Sequence, residues 1–235
     1  MPQRPRVIGL LGGMSWESSA IYYRLVNEGV RDRLGHLHSA RVVLLSVDFA
    51  EVEAMQVAGQ WEQAGELLAG AARDLVAAGA ELIVICTNTM HKVADEVQAA
   101  VDVPLLHLAD TTAAAVTGAG LRRVGLLGTA FTMEQDFYRG RLEELGLEVT
   151  VPAAADRADV HRIIYDELCR GIVTEKSRER YREVIAVLVE GGVEGVVLGC
   201  TEIEMLVDQS DSAVPVFPTT TLHTAAAVDW SLAEE

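Results

Sequence analysis

Ile8-Gly9-Leu10-Leu11-Gly12 returns in the second half of the chain as Val124-Gly125-Leu126-Leu127-Gly128. Gly79-Ala80-Glu81 leading to Cys86-Thr87 returns as Gly192-Val193-Glu194 leading to Cys200-Thr201, and Val103-Pro104 returns as Val214-Pro215. Three markers in the same order at nearly the same offset restrict the chain to two related structural units in tandem. Apolar runs of strand length recur at Val7 to Leu11, Val42 to Val47, Leu82 to Ile85 and Leu105 to Leu108. The second half repeats them at Val124 to Leu127, Leu147 to Val151, Val196 to Leu198 and Val214 to Phe217. Short apolar runs alternating with helix-length segments are the pattern of buried parallel strands, so the expected class is α/β. The expectation is two pseudo-symmetric lobes, each a short, mostly parallel sheet flanked by helices, with the active site in the cleft between them. The first lobe covers 1–110 and the second 111–217, with the remainder, 218–235, packing back as a helix from Thr219 to Trp230.

Composition narrows the function classes. Nineteen Lys and Arg stand against 35 Asp and Glu, a formal net charge of −16 that repels phosphate backbones and anionic lipid surfaces. Neither a nucleic-acid nor a membrane partner is expected. Cys86, Cys169 and Cys200 are too few and too scattered for a secreted disulfide scaffold, and read as reduced thiols in a cytoplasmic protein. His36 and His38 have no third ligand nearby, so no metal site is expected.

In open parallel sheets the ligand site lies at the carboxyl ends of the strands, where loops enter helix N-termini. Four junctions carry helix-start chemistry. Ser15 is placed to cap the helix after the first strand, and Cys86 to His91 follow the third strand. Thr132 with Gln135, and Thr201 with Glu204, have the spacing of capping boxes. Helix N-termini attract a small carboxylate and favour a nearby thiolate. Cys86 and Cys200 occupy equivalent places in the two halves. Two thiols on opposite sides of a substrate suit removal of a proton from one face of a carbon and its return on the other. Racemisation of an α-amino acid needs that arrangement, with oriented N–H groups stabilising the charge that develops on the carboxylate and with no metal and no organic cofactor.

At these residues the chain resembles the aspartate/glutamate racemase family of cofactor-independent, two-cysteine amino-acid racemases. The resemblance is carried by Gly9-Leu10-Leu11-Gly12-Gly13-Met14, by Cys86-Thr87-Asn88-Thr89-Met90-His91, by Gly128-Thr129 with Thr132, and by Gly199-Cys200-Thr201-Glu202-Ile203. It implies Cys86 and Cys200 as catalytic acid and base, and a homodimer. It further implies a substrate-binding set of Thr87, Asn88, Thr89, Thr129, Thr132 and Thr201, with Met14, Ser15 and Glu202 lining the cleft. His91, placed to orient a cysteine or polarise a substrate group or simply to be solvated in the first turns of a helix, is kept as a further site residue. Aspartate-specific members carry an Arg near the end of the second strand and a Lys in a second-lobe helix. Here those stretches read Ser46-Val47-Asp48-Phe49 and Glu167-Leu168-Cys169-Arg170. The pattern is similar to the broad-specificity branch, and glutamate, aspartate or a broader set of amino acids stay open as substrates.

Two other functions stay open at this stage. One is a dicarboxylate isomerase or decarboxylase of the same fold, and the other a ligand-binding module without catalysis. A dinucleotide site built on Gly9, Gly12 and Gly13 with Asp48 is disfavoured because the glycine spacing differs from that of the dinucleotide fingerprint.

Overall fold

A computed structural model describes residues 4–233, so residues 1–3 and 234–235 of the expected lobes lie outside the described residues. The strands are β1 Ile8–Gly12, β2 Val42–Ser46, β3 Leu82–Ile85, β4 Arg123–Gly128, β5 Glu148–Thr150, β6 Gly195–Gly199 and β7 Val216–Pro218. The helices in the first half are α1 Trp16–Leu34, α2 Phe49–Ala58, α3 Trp61–Ala77, α4 Ala94–Ala99 and α5 Leu108–Gly118. Those in the second half are α6 Ala130–Glu134, α7 Asp136–Glu144, α8 Ala154–Asp166, α9 Glu175–Glu190 and α10 Thr219–Leu232. The chain divides into two units. One holds the residues up to His107 and from His223 onward, the other Leu108–Leu222.

Each unit is an α/β structure built on a parallel sheet, and the two sheets share one connectivity. The first has the order β2-β1-β3, and a parallel bridge from Ile83 to Leu105 extends it by one residue. The second has the order β5-β4-β6-β7. Strand by strand, β1 answers to β4, β2 to β5, β3 to β6, and the Leu105 bridge to β7. The internal echoes in sequence therefore correspond to a repeated topology.

Burial explains the uniformly apolar strands. In the first unit successive residues point to opposite faces of the sheet. Ile8, Leu10, Leu82, Val84 and Cys86 pack with Tyr22, Val26 and Val30 of α1 and with Ala227 and Val228 of α10. Leu11, Ile83 and Ile85 pack on the other face with Leu68, Ala72 and Leu75 of α3 and Val97 of α4. Both faces are covered, so β1 and β3 are buried throughout. The second unit has one continuous core, in which Val124, Leu126, Val196 and Leu198 meet Ile163, Val184 and Leu188. The edge strand β5 keeps Glu148 and Thr150 exposed, as a strand with one free side does.

Three local expectations are corrected. The run Leu105 to Leu108 is not a strand: Leu105 makes a single bridge and Leu108 already opens α5. An apolar run satisfies either a buried strand or a buried helix start, and here the helix takes it. The cap of α6 is Thr129, whose side chain accepts the Thr132 N–H, so Thr132 lies inside the helix it was expected to begin, and Gln135 precedes α7 instead. After β6 the chain forms a five-residue 3-10 segment, Thr201–Met205, with Cys200 at its cap position and no side-chain cap. The tail is helical, with its first turn, Thr219–Leu222, in the second unit and the remainder in the first. Among the described residues no helix is long and apolar enough to cross a membrane.

Candidate functional site

The carboxyl ends of neighbouring strands bring the expected residues of the first unit together. β1 runs into Gly13, Met14 and Ser15, and β3 beside it runs into Cys86 and the 3-10 segment Thr89–Val93. Gly13 has φ +95°, and a Cβ there would stand 2.2 Å from the Val47 carbonyl oxygen, so only glycine lets this loop turn against the end of β2. The Ser15 hydroxyl then accepts the Ser18 N–H at 3.2 Å and caps α1 as expected. Ser18 and Ser19 do the fastening, which sequence reasoning missed. The Ser19 hydroxyl accepts the Gly13 N–H at 2.7 Å, and the Ser18 hydroxyl donates to the Cys86 carbonyl at 2.7 Å. The legible signal was a pair of small hydroxyl residues in the first turn of a helix that follows Gly-Gly.

Cys86 is fully buried, and its thiol points back to the Val84 carbonyl at 3.6 Å. Asn88 and Thr89 beside it are buried as well, while Thr87 is half-buried. His91 donates from Nδ1 to the Thr87 carbonyl at 2.8 Å, since a carbonyl can only accept. Its ring also packs against His107 and His223, with centroids 4.7 and 5.7 Å away. His223 must donate from Nε2 to the Leu106 carbonyl at 2.9 Å, so its Nδ1 accepts the Tyr22 hydroxyl at 2.9 Å and the ring is neutral. Burial, with His91 as a second cause, pushes His223 down to about 3.

The second unit arranges its residues at the ends of β4 and β6. Gly199 is packed so closely that a Cβ would stand 2.9 Å from the Leu127 carbonyl oxygen, which lets the two strands deliver Thr129, Thr132, Cys200 and Thr201 side by side. The Thr129 and Thr132 hydroxyls lie 3.2 Å apart. The backbone N–H of Ala130 donates to His161 Nδ1 at 3.1 Å, a contact that no sequence motif marked. Cys200 donates its thiol hydrogen to Glu202 Oε2 at 2.8 Å. Glu202 therefore contacts the cysteine itself.

For both cysteines burial works against the thiolate that a helix N-terminus favours. Burial pushes the Cys86 thiol well above its ordinary range. Burial does the same at Cys200, and the neighbouring Glu202 and Cys169 charges push the same way. The positive ends of short 3-10 segments do not compensate for removing a thiolate from water. Among the described residues no group of three His, Cys, Asp or Glu side chains is placed to hold a metal ion.

Two parallel sheets of one connectivity, each with a buried cysteine and a threonine just beyond the matching strand, describe a duplicated α/β protein. The chain belongs to the Asp/Glu/hydantoin racemase family, which it matches over residues 11–227. Over 97% of its length it is similar to the structure of a candidate Asp/Glu racemase from Yersinia pestis, with 55% identity, a TM-score of 0.91 and all of that chain covered. An aspartate racemase homologue from Pyrococcus horikoshii OT3 is 36% identical, with a TM-score of 0.86, over 97% of this chain and 100% of the other. A glutamate racemase from Streptococcus pyogenes serotype M3 is 31% identical over 134 residues, 56% of this chain and 49% of that protein. The chain thus spans about half the length of the curated relatives it matches.

Proposed function

We propose that this protein is a cofactor-independent amino-acid racemase in which Cys86 and Cys200 exchange the Cα proton of one bound substrate. The observation that carries this reading is the equivalence of the two cysteines, each placed directly beyond the matching strand of its own sheet, β3 and β6, with threonine following. In one direction Cys86 releases its thiol proton to solvent as the substrate binds, the thiolate takes the Cα proton, the Cys200 thiol returns one to the opposite face, and solvent restores the proton of Cys200; in the other the roles exchange. In the resting protein both thiols hold their protons, because burial penalises the anions. The substrate's own ammonium group, brought into a dry site, is the charge that favours a thiolate beside it.

Glu202 receives the Cys200 proton when Cys200 acts as base, since its carboxylate already accepts that hydrogen at 2.8 Å. The substrate's carboxylates and ammonium are held by backbone and side-chain polar groups of Thr87, Asn88, Thr89, Thr129, Thr132 and Thr201, whose N–H and O–H donors stabilise the enediolate-like charge as it forms, with Ser15 lining the site. Met14 closes the site with an apolar wall. His91 serves by holding the Thr87 carbonyl and so the turn after Cys86.

Proton NMR in D2O with a panel of L- and D-amino acids, glutamate and aspartate included, tests the reading. Loss of the α-proton signal together with appearance of the opposite enantiomer is the expected result. Silence across the panel, with turnover of a dicarboxylate that lacks an amino group, would replace it by the isomerase or decarboxylase reading.

A further inference from the structure

Glu204 lies two residues beyond Glu202 on the same 3-10 segment, yet its carboxylate serves a different part of the chain. Oε1 accepts the Thr220 backbone N–H at 2.7 Å and Oε2 accepts the Thr221 hydroxyl at 3.0 Å. Both donors lie in the first turn of α10, where backbone N–H groups lack partners within the helix. The carboxylate therefore caps α10 from a distance. From the same turn the Thr220 hydroxyl donates to the Thr201 hydroxyl at 2.9 Å, and the Thr219 hydroxyl donates to the Leu198 carbonyl at 2.7 Å. Thr201 directly follows Cys200 and Leu198 precedes it by two residues. The segment carrying the second cysteine is thus held on both sides by one helical turn, and that turn is held by Glu204.

We propose that Glu204 is a positioning residue for the second cysteine motif, fixing the Thr201 hydroxyl beside Cys200 through the first turn of α10. What Thr201 then does for a substrate rests on the racemase reading; the linkage itself does not. All four hydrogen bonds belong to one unit of the protein.

The linkage is built to respond near neutral pH. Glu204 stands on the wall of a cavity of about 240 Å³, beside Leu198, Val216 and Asp208. Burial raises its carboxyl to about 7 against the opposing pull of the Thr220 and Thr221 bonds. Protonation removes one of its two anionic acceptor oxygens, so the hold on α10 loosens as the pH falls through that value. Other titratable groups on the surrounding elements are engaged elsewhere. Glu202 takes the Cys200 thiol, Asp208 accepts the Ser210 N–H, and His223 is held by Tyr22 and Leu106. Cys169 and Arg170 lie on the 3-10 segment Leu168–Arg170 packed against that of Glu204.

The test follows the backbone amide shifts of Thr201 and Thr220 in 15N-labelled protein from about pH 5.5 to 8.5, alongside kcat/KM for α-proton exchange. In the wild-type protein both amides are expected to titrate with a midpoint close to 7. In Glu204→Gln the titration disappears, and kcat falls roughly tenfold while KM moves little. In Thr220→Val the Thr220 amide still titrates but Thr201 no longer follows. A Thr201 amide unchanged by Glu204→Gln overturns the proposal, and if that variant does not fold, a Thr201 amide unchanged by Thr220→Val does so. Titrating amides in a protein that exchanges no α-proton would support the linkage and remove the racemase reading instead.

Discussion

The Cys200 thiol donates to Glu202 Oε2 at 2.8 Å, whereas the Cys86 thiol donates to the Val84 carbonyl at 3.6 Å. The two cysteines are equivalent by topology and unequal in chemistry: one donates to a carboxylate that can take its proton, the other to a backbone carbonyl that cannot. Glu202→Gln is therefore expected to lower turnover by roughly 10²-fold in the direction that uses Cys200 as base, and less in the other. Because the Glu202 charge is one cause of the raised Cys200 thiol, the same variant makes Cys200 more acidic. Alkylation of Cys200 by iodoacetamide, followed against pH in a background lacking the other two cysteines, should shift to lower pH.

Replacing either cysteine separates two-base from one-base chemistry. Cys86→Ser and Cys200→Ser are each expected to reduce racemisation by roughly 10²–10⁴-fold in both directions. Each variant should retain some solvent exchange of the α-proton in the one enantiomer whose proton the surviving thiol faces. Unaltered turnover of both variants, measured from L and from D substrate, would end the paired-thiol mechanism.

His223 links folding stability to pH. Below its ordinary value of 6.5 the unfolded chain binds a proton on this ring that the folded chain refuses until about pH 3. Stability contributed by the neutral ring is therefore present above 6.5 and lost as the pH falls through that window. Glu204 acts with the opposite sign. Its carboxyl, raised from 4.5 to about 7, makes the folded chain the stronger proton binder between those values, and its contribution declines as the pH rises through them. Urea unfolding at pH 7.5 and pH 5 isolates the histidine when wild type is compared with His223→Gln. The wild type should lose about 2 kcal/mol more than the variant on acidification.

Tyr22→Phe probes the same ring from its partner. The substitution removes the hydroxyl that donates to His223 Nδ1 at 2.9 Å and leaves that nitrogen buried without it. A destabilisation of about 1–3 kcal/mol is expected at pH 7.5, read from the urea midpoint. A loss below about 0.5 kcal/mol would show that the bond contributes little.

Gly13→Ala tests the turn that starts the first cysteine's surroundings. Its φ is +95°, and the Val47 carbonyl oxygen lies only 2.2 Å from where the added methyl group would sit, so there is no room for a side chain. About 3 kcal/mol or more of stability should be lost, and with it the Ser19 bond to the Gly13 N–H. Thermal unfolding, together with the hydrogen-exchange rate of this backbone amide in wild type and variant, checks both parts.

The α/β class, the repeated unit and the placement of the strands were legible because fully covered parallel strands require short apolar runs, and the duplicated segments supply them twice. The same logic failed at Leu105 to Leu108, where the apolar run serves the start of α5. Cap residues were legible where one side chain closes its own loop, as at Ser15, and not where the neighbouring threonine takes the position, as at Thr129.

By itself the sequence determined the α/β class, the repetition of the unit, the position of Cys86 and Cys200 immediately beyond matching strands, and membership of one racemase family, since these follow from local pattern and motif. Only the tertiary structure decided the burial that disfavours both thiolates, the contact of Glu202 with Cys200, the reach of Glu204 to Thr220 and Thr221, and the tautomer of His223. Each of these depends on how side chains are buried and turned in the packed chain, and the last two also on partners distant in sequence, as Tyr22 is from His223. Desolvation and long-range hydrogen bonds come into being only when the chain has packed, and no spacing of residues along it encodes their strength.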